Sequence, residues 1–91
     1  MSIIRRIRDL VQNGLYYLTE HALGEAWDDQ FDIFDIEHAI LGGKIRKTWP
    51  REHKYEIVGP ATDGRPIGLV CRVTLRRKVR IITAYEDRPK Q

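Results

Sequence analysis

The sequence predicts an α+β fold in which three N-terminal helices pack on one face of a C-terminal antiparallel sheet of about four strands. Three observations carry this expectation. From Ile67 to Glu86, IGLVCRVTLRRKVRIITAYE, β-branched and aliphatic residues alternate with polar ones on both sides of the charged run Arg76-Arg77-Lys78, the pattern of a β-hairpin with a solvated turn. Upstream of Gly43 the apolar residues recur at helical spacing instead. Between the two regions lies Asp63-Gly64, a strong hairpin signal.

Ile3, Ile4, Ile7, Leu10 and Val11 oppose Arg5, Arg6, Arg8, Asp9 and Gln12, which predicts an amphipathic first helix, and Asn13-Gly14 supplies its left-handed stop. Leu15 to Leu18 reads as a short extended bridge. Thr19 is the predicted N-cap of a second helix reaching about Asp29, with Ala22, Leu23, Ala26 and Trp27 as its buried stripe. A third helix, capped by Asp32 or Asp35 and ended by Gly42-Gly43, carries Phe31, Ile33, Phe34, Ile36, Ala39, Ile40 and Leu41 on its apolar side. The acids of this region are expected on outer faces or at helix N-termini, where they match the helix dipole. Lys44 to Trp49 is the expected edge strand, since lysines guard exposed edges and Pro50 stops pairing. Tyr55 to Gly59 follows as a strand, the loop Pro60 to Pro66 returns the chain into Ile67, and residues 88–91 form a polar tail.

With Arg76 and Arg77 at the hairpin tip, Thr74 should face Val79, Arg72 face Ile81, and Val70 face Thr83. Leu69, Cys71, Val73, Ile82 and Ala84 then share the core face. Val70, Arg72, Thr74, Ile81, Thr83 and Tyr85 share an open face that mixes a guanidinium, hydroxyls and an aromatic ring. Cys71, the one cysteine, reads as a small buried hydrophobe.

With 91 residues the chain is expected to form one domain, residues 1–91. Charged residues at 32% and hydrophobic ones at 42% are ordinary for a soluble globular protein and exclude a disordered class. The apolar runs are too short to span a bilayer, and the arginines of MSIIRRIRDLV lie inside the apolar pattern instead of ahead of it. A cytoplasmic protein without a membrane partner is the expectation. Charge is segregated: three arginines against one aspartate in residues 1–19, seven acids with no Lys or Arg in 20–43, and thirteen basic against five acidic residues in 44–91. The sheet half therefore suits a polyanion, the alternative being a solubilising mixture of surface charges.

No metal or cofactor is expected. His21, His38 and His53 lack the i, i+4 pairing or CxxC companions of a zinc site, and no phosphate-binding glycine loop or GxSxG elbow is present. His21, in the first turn of the second helix, is expected where the helix dipole and free N–H groups can hold an anion; the alternative is a structural histidine. His38 reads as solvent-facing. What remains suits metal-independent work on RNA: Arg72, Arg65, Lys44 and Arg46 for phosphates, Tyr55 or Tyr85 for stacking, and His21 for proton transfer.

The pattern Tyr17-Leu18-Thr19-x-His21-Ala22, then Asp35-Ile36-x-x-Ala39-Ile40-x-x-Gly43-Lys44-Ile45, Tyr55-x-Ile57-x-Gly59, Gly64-Arg65-Pro66 and Ile81-Ile82-Thr83-Ala84-Tyr85-Glu86 resembles domain-of-unknown-function family 4258, over nearly the whole chain beyond the first helix. That family is similar to the RelE/ParE-like and BrnT-like toxins, whose small helix-plus-sheet fold serves RNA cleavage, on or off the ribosome, or gyrase inhibition. The resemblance implies a RelE-like fold and a metal-independent RNA endonuclease of a toxin-antitoxin type, with RNA or the ribosome as target and a small acidic antitoxin-like protein as partner. Carried over by position, it implies His21, Thr83 and Tyr85 as catalytic candidates. The chain departs from it in the helix after His21-Ala22, where relatives commonly carry arginines and Gly24, Glu25, Asp28, Asp29 and Gln30 stand here. A second reading stays open: a non-catalytic module binding RNA or a protein partner through the same face, or through the edge strand by strand addition.

Overall fold

The computed structural model describes residues 2–88. Its elements are α1 (Ile3–Gln12), β1 (Tyr16–Leu18), α2 (Glu20–Asp28), α3 (Ile33–Gly42), β2 (Lys44–Trp49), a 3-10 turn (Pro50–Glu52), β3 (Lys54–Pro60), β4 (Pro66–Val73) and β5 (Val79–Glu86). The polar tail expected at 88–91 lies outside the described residues beyond Arg88.

Local chemistry sets the helix starts. Ser2 and Thr19 accept the backbone N–H groups of Arg5 and Ala22. Asp32 caps α3, and Asp35 closes a reciprocal capping box with it. Asp35 is not a solubilising surface acid: it is buried, and the Thr62 backbone and hydroxyl both donate to it. Arg8 of α1 donates to the carbonyls of Ile40 and Gly43 at the end of α3, a cation placed where that helix is negative.

The sheet is mixed and five-stranded, in the order β1-β5-β4-β3-β2, where about four antiparallel strands were expected. The added strand is Tyr16–Leu18, read from sequence as a bridge. Gly14, at φ +74°, turns the chain out of α1, and Tyr16 to Leu18 then pair in parallel with Val79 to Ile81. The helices are therefore not one N-terminal block, because β1 separates α1 from α2.

The central hairpin keeps the expected Val70–Thr83 pair but shifts by one residue toward its tip. Cys71 faces Ile81, Arg72 faces Arg80, and Val73 faces Val79. A bulge at Ile82 takes up the extra residue, so Ile81 and Ala84 both turn inward. Ile81, placed on the open face by the sequence, is fully buried, whereas Ile82 is only half-buried.

One sheet face, with Ile57, Leu69, Cys71, Ile81 and Ala84, forms a single core with Ile7 and Val11 of α1, Ala22 and Ala26 of α2, and Ile36, Ala39 and Ile40 of α3. Burial pushes the Cys71 thiol up to about 12. The α2 stripe is narrower than expected. Ala22 and Ala26 bring the helix close to β5, and Leu23 and Trp27 rotate out to 57% and 76% exposure. Ile33, Phe34 and Leu41 of α3 are likewise exposed.

Beyond Ile81, β5 has no strand neighbour on the β1 side, and α2 takes that place. Glu25 accepts from the Thr83 hydroxyl and the Ala84 N–H, and Asp29 accepts the Glu86 N–H at 2.8 Å. These acids close a sheet edge instead of decorating an outer face. No helix among the described residues is long and apolar enough to cross a membrane.

Candidate nucleic-acid interface

The face of the sheet turned away from the helices is ordered by strand register. Its first row crosses all five strands: Trp49 pairs with Lys54, Lys54 with Arg72, Arg72 with Arg80, and Arg80 with Tyr17. Three cations thus stand side by side between two aromatic rings. Lys47 and Lys54 hold their ammonium groups 4.8 and 5.3 Å from the Trp49 ring centre. Like charges directly opposite one another destabilise a sheet. Among the described residues neither Arg72 nor Arg80 has an acidic partner within ion-pair distance; Lys54 reaches Glu52 at 3.1 Å.

A cleft of about 230 Å³ opens beside this row, bordered by Tyr17, His53, Arg72, Arg80 and the hairpin tip. His53 reaches it because the 3-10 turn ends on this residue in the left-handed conformation, at φ 52°. Lys47, Glu56, Val70 and Thr83 make the next row, and Lys44, Val58, Gly68 and Tyr85 the third.

Arg72, Thr83 and Tyr85 therefore share the open face, in three successive rows. Their surroundings differ. The Thr83 hydroxyl donates to Glu25, whose same oxygen lies 3.1 Å from His21 Nε2, so Glu25 links His21 and Thr83 at the α2 edge. His21 itself is 72% exposed. Tyr85 belongs to another cluster. Its ring lies over Gly68, where an added Cβ would come within 2.6 Å of it, and its hydroxyl is 3.5 Å from Arg46 Nη2. Burial and the nearby Glu56 raise the Tyr85 pKa. Arg46 is bound by Glu56 at 2.5 Å and by both carboxylate oxygens of Asp87 at 2.9 and 3.1 Å.

Of the remaining sequence candidates, Lys44 stands at the β2 end of the third row, whereas Arg65 and Tyr55 lie off this face. Arg65 donates to Asp63 and to the carbonyls of Asp29 and Gln30 and stacks 4.3 Å above Phe31, which fastens the α2–α3 junction to the β3–β4 loop. Tyr55 pairs with Cys71 on the helix-covered face and borders a hollow with Ile3 of α1. Lys44 is exposed at the start of β2. His38 is exposed, and its Nδ1 lies 2.7 Å from the Pro60 carbonyl oxygen.

Sequence reasoning missed Tyr17, Trp49, His53, Lys54 and Arg80 in this face, and Glu25 at its edge. Arg80 was hidden by the one-residue register shift. Tyr17 was hidden because a three-residue strand carries too little alternation to be recognised.

No curated protein and no solved structure matches the chain significantly. Residues 18–86, from the end of β1 to the end of β5, match the family described as Domain of unknown function (DUF4258). That span includes the whole open face except Tyr17, and the chain belongs to this family.

Proposed function

We propose that the protein binds single-stranded RNA across its open sheet face, as a toxin-like domain that needs no metal ion to hold the strand. The observation that carries this reading is the row Lys54, Arg72 and Arg80 set between Trp49 and Tyr17. Cations in register track a phosphate backbone, and aromatic rings at either end offer stacking surfaces to unpaired bases. A row of like charges is retained against its own repulsion most readily when a polyanion occupies it. The resemblance to RelE/ParE-like and BrnT-like toxins points the same way, and a small acidic protein of the antitoxin kind would cover the same cations.

A second reading, cleavage of the bound strand, is favoured by the cleft in which His53 and Tyr17 border Arg72 and Arg80. Cleavage through the 2′-hydroxyl moves a proton from that hydroxyl to a base as its oxygen attacks phosphorus. An acid then protonates the departing 5′-oxygen while cations hold the phosphorane charge. The cleft borders one imidazole, one phenol and two guanidiniums. His21, held by Glu25 beside Thr83, is the other histidine close to this face.

Titrating labelled single-stranded RNA with the pure protein, with and without chelator and over a range of salt, tests both readings. Salt-sensitive binding supports the first; cleavage that survives chelator and is lost in His53→Ala supports the second. Absence of binding at low salt contradicts both.

A further inference from the structure

Leu23 and Trp27 stand one helical turn apart on α2, and both point away from the core. They are not isolated apolar residues. A hollow of about 450 Å³ between Leu18, Leu23, Ile33 and Glu37 continues past Leu23 into a second of about 450 Å³, bordered by Glu20 and Trp27. Trp27 and Asp28 lead on into a third hollow of about 560 Å³ that reaches Phe31. The three hollows adjoin at Leu23, Trp27 and Asp28 and make a grooved, largely apolar surface along the α2–α3 side, of the kind that marks an interaction site.

Its rim is acidic except at the Phe31 end, where Arg65 stacks over the ring. No Lys or Arg lines any of the three hollows, while Glu20, Asp28, Asp32 and Glu37 do. The stretch from residue 20 to 43 contains no Lys or Arg at all. An occupant must therefore offer apolar side chains at helical spacing with cations on either flank. An anionic strand or an anionic lipid surface is repelled by the same rim.

We propose that this groove is a docking site for a basic amphipathic helix of a partner protein. A second copy of the chain has no such helix to spare. Its arginine-bearing helix, α1, already commits Ile7 and Val11 to its own core at 0% and 1% exposure. The groove runs along the helix side and the cationic row lies on the far side of the sheet, and the two meet at Tyr17, which ends the row and also borders the first hollow.

Trp27 is a built-in reporter. In a Trp49→Phe background it is the only indole, and its emission can be followed while a designed leucine–lysine helical peptide is added, with a leucine–glutamate peptide as control. The leucine–lysine peptide should shift Trp27 emission to the blue and saturate, and the control should not. Leu23→Asp should weaken binding about tenfold, as loss of an anchor residue does, while thermal melting stays unchanged because Leu23 is exposed. Glu20→Lys/Asp28→Lys should reverse the preference between the two peptides. Equal response to both peptides, no response, or indifference to Leu23→Asp overturns the proposal. So does a Trp27 shift in the protein alone that rises with concentration and coincides with dimer in sedimentation, which would make a second copy the occupant.

Discussion

Arg72 and Arg80 face each other directly across β4 and β5, and among the described residues no carboxylate lies within ion-pair distance of either. A pair of this kind opposes folding and favours an anionic ligand. Arg80→Thr should therefore move stability and binding in opposite directions. The variant is expected to gain between a few tenths and ~1 kcal/mol of stability, as the repulsive cross-strand pair is removed, while its affinity for RNA falls. Thermal melting and RNA anisotropy on the same sample check this. A variant that loses both stability and affinity would mean that Arg80 is a structural residue.

Gly59 of β3 passes directly beneath the end of α3. A Cβ at Gly59 would lie 1.9 Å from the Ala39 carbonyl oxygen and 2.8 Å from Gly43 Cα, and both are backbone atoms that cannot swing aside. Gly59→Ala is expected to cost about 3 kcal/mol by prising α3 from the sheet. Gly24, within α2, has open space where its Cβ would be, so Gly24→Ala should instead stabilise by roughly 0.5–1 kcal/mol. Denaturant midpoints of the two variants should move in opposite directions.

Asp35 gives the fold a defined acid limb. Burial alone would raise its pKa, but hydrogen bonds from Thr62 and Asp32 outweigh this and bring it from 3.8 down to about 2. A depressed folded-state value means stability that is fully present above the unfolded value and disappears as pH falls toward about 2. The contribution is about 2 kcal/mol at neutral pH. Asp35→Asn should lose about that much at pH 7 and flatten the stability profile between roughly pH 4 and pH 2. An unchanged acid slope in the variant would contradict this role.

Glu25 and His21 are joined by a 3.1 Å contact but have different tasks. Glu25→Ala leaves the Thr83 hydroxyl and the Ala84 N–H without their protein acceptor, at an expected cost of about 1 kcal/mol. His21→Ala removes a largely exposed side chain and should change stability by less than about 0.5 kcal/mol. Any effect of His21→Ala on RNA cleavage would then report chemistry instead of folding.

The parts of the fold legible in the sequence were those with local causes. The Thr19 cap, an aspartate cap on α3, the left-handed Gly14, the turn at Asp63-Gly64 and the edge position of Lys44–Trp49 follow from residue types at fixed offsets. The errors arose where tertiary geometry decided. A bulge leaves no mark in the alternation, so Ile81 and Ile82 exchanged places and the Arg72–Arg80 pair went unseen. Helical spacing showed that one face of α2 was apolar, but the alanines Ala22 and Ala26 set the line of contact and left Leu23 and Trp27 outside. His53 has no sequence signal at all, because a turn in the left-handed conformation carries it to the cleft.

The most direct test of the cationic row is the salt dependence of RNA affinity in the Arg72→Ala/Arg80→Ala double variant beside the unaltered protein. If both guanidiniums contact phosphates, affinity falls and the slope of log affinity against log salt becomes shallower by about 1.4, ~0.7 for each lost contact to a single strand. The same affinity and the same slope in both proteins would place the RNA elsewhere and contradict the account.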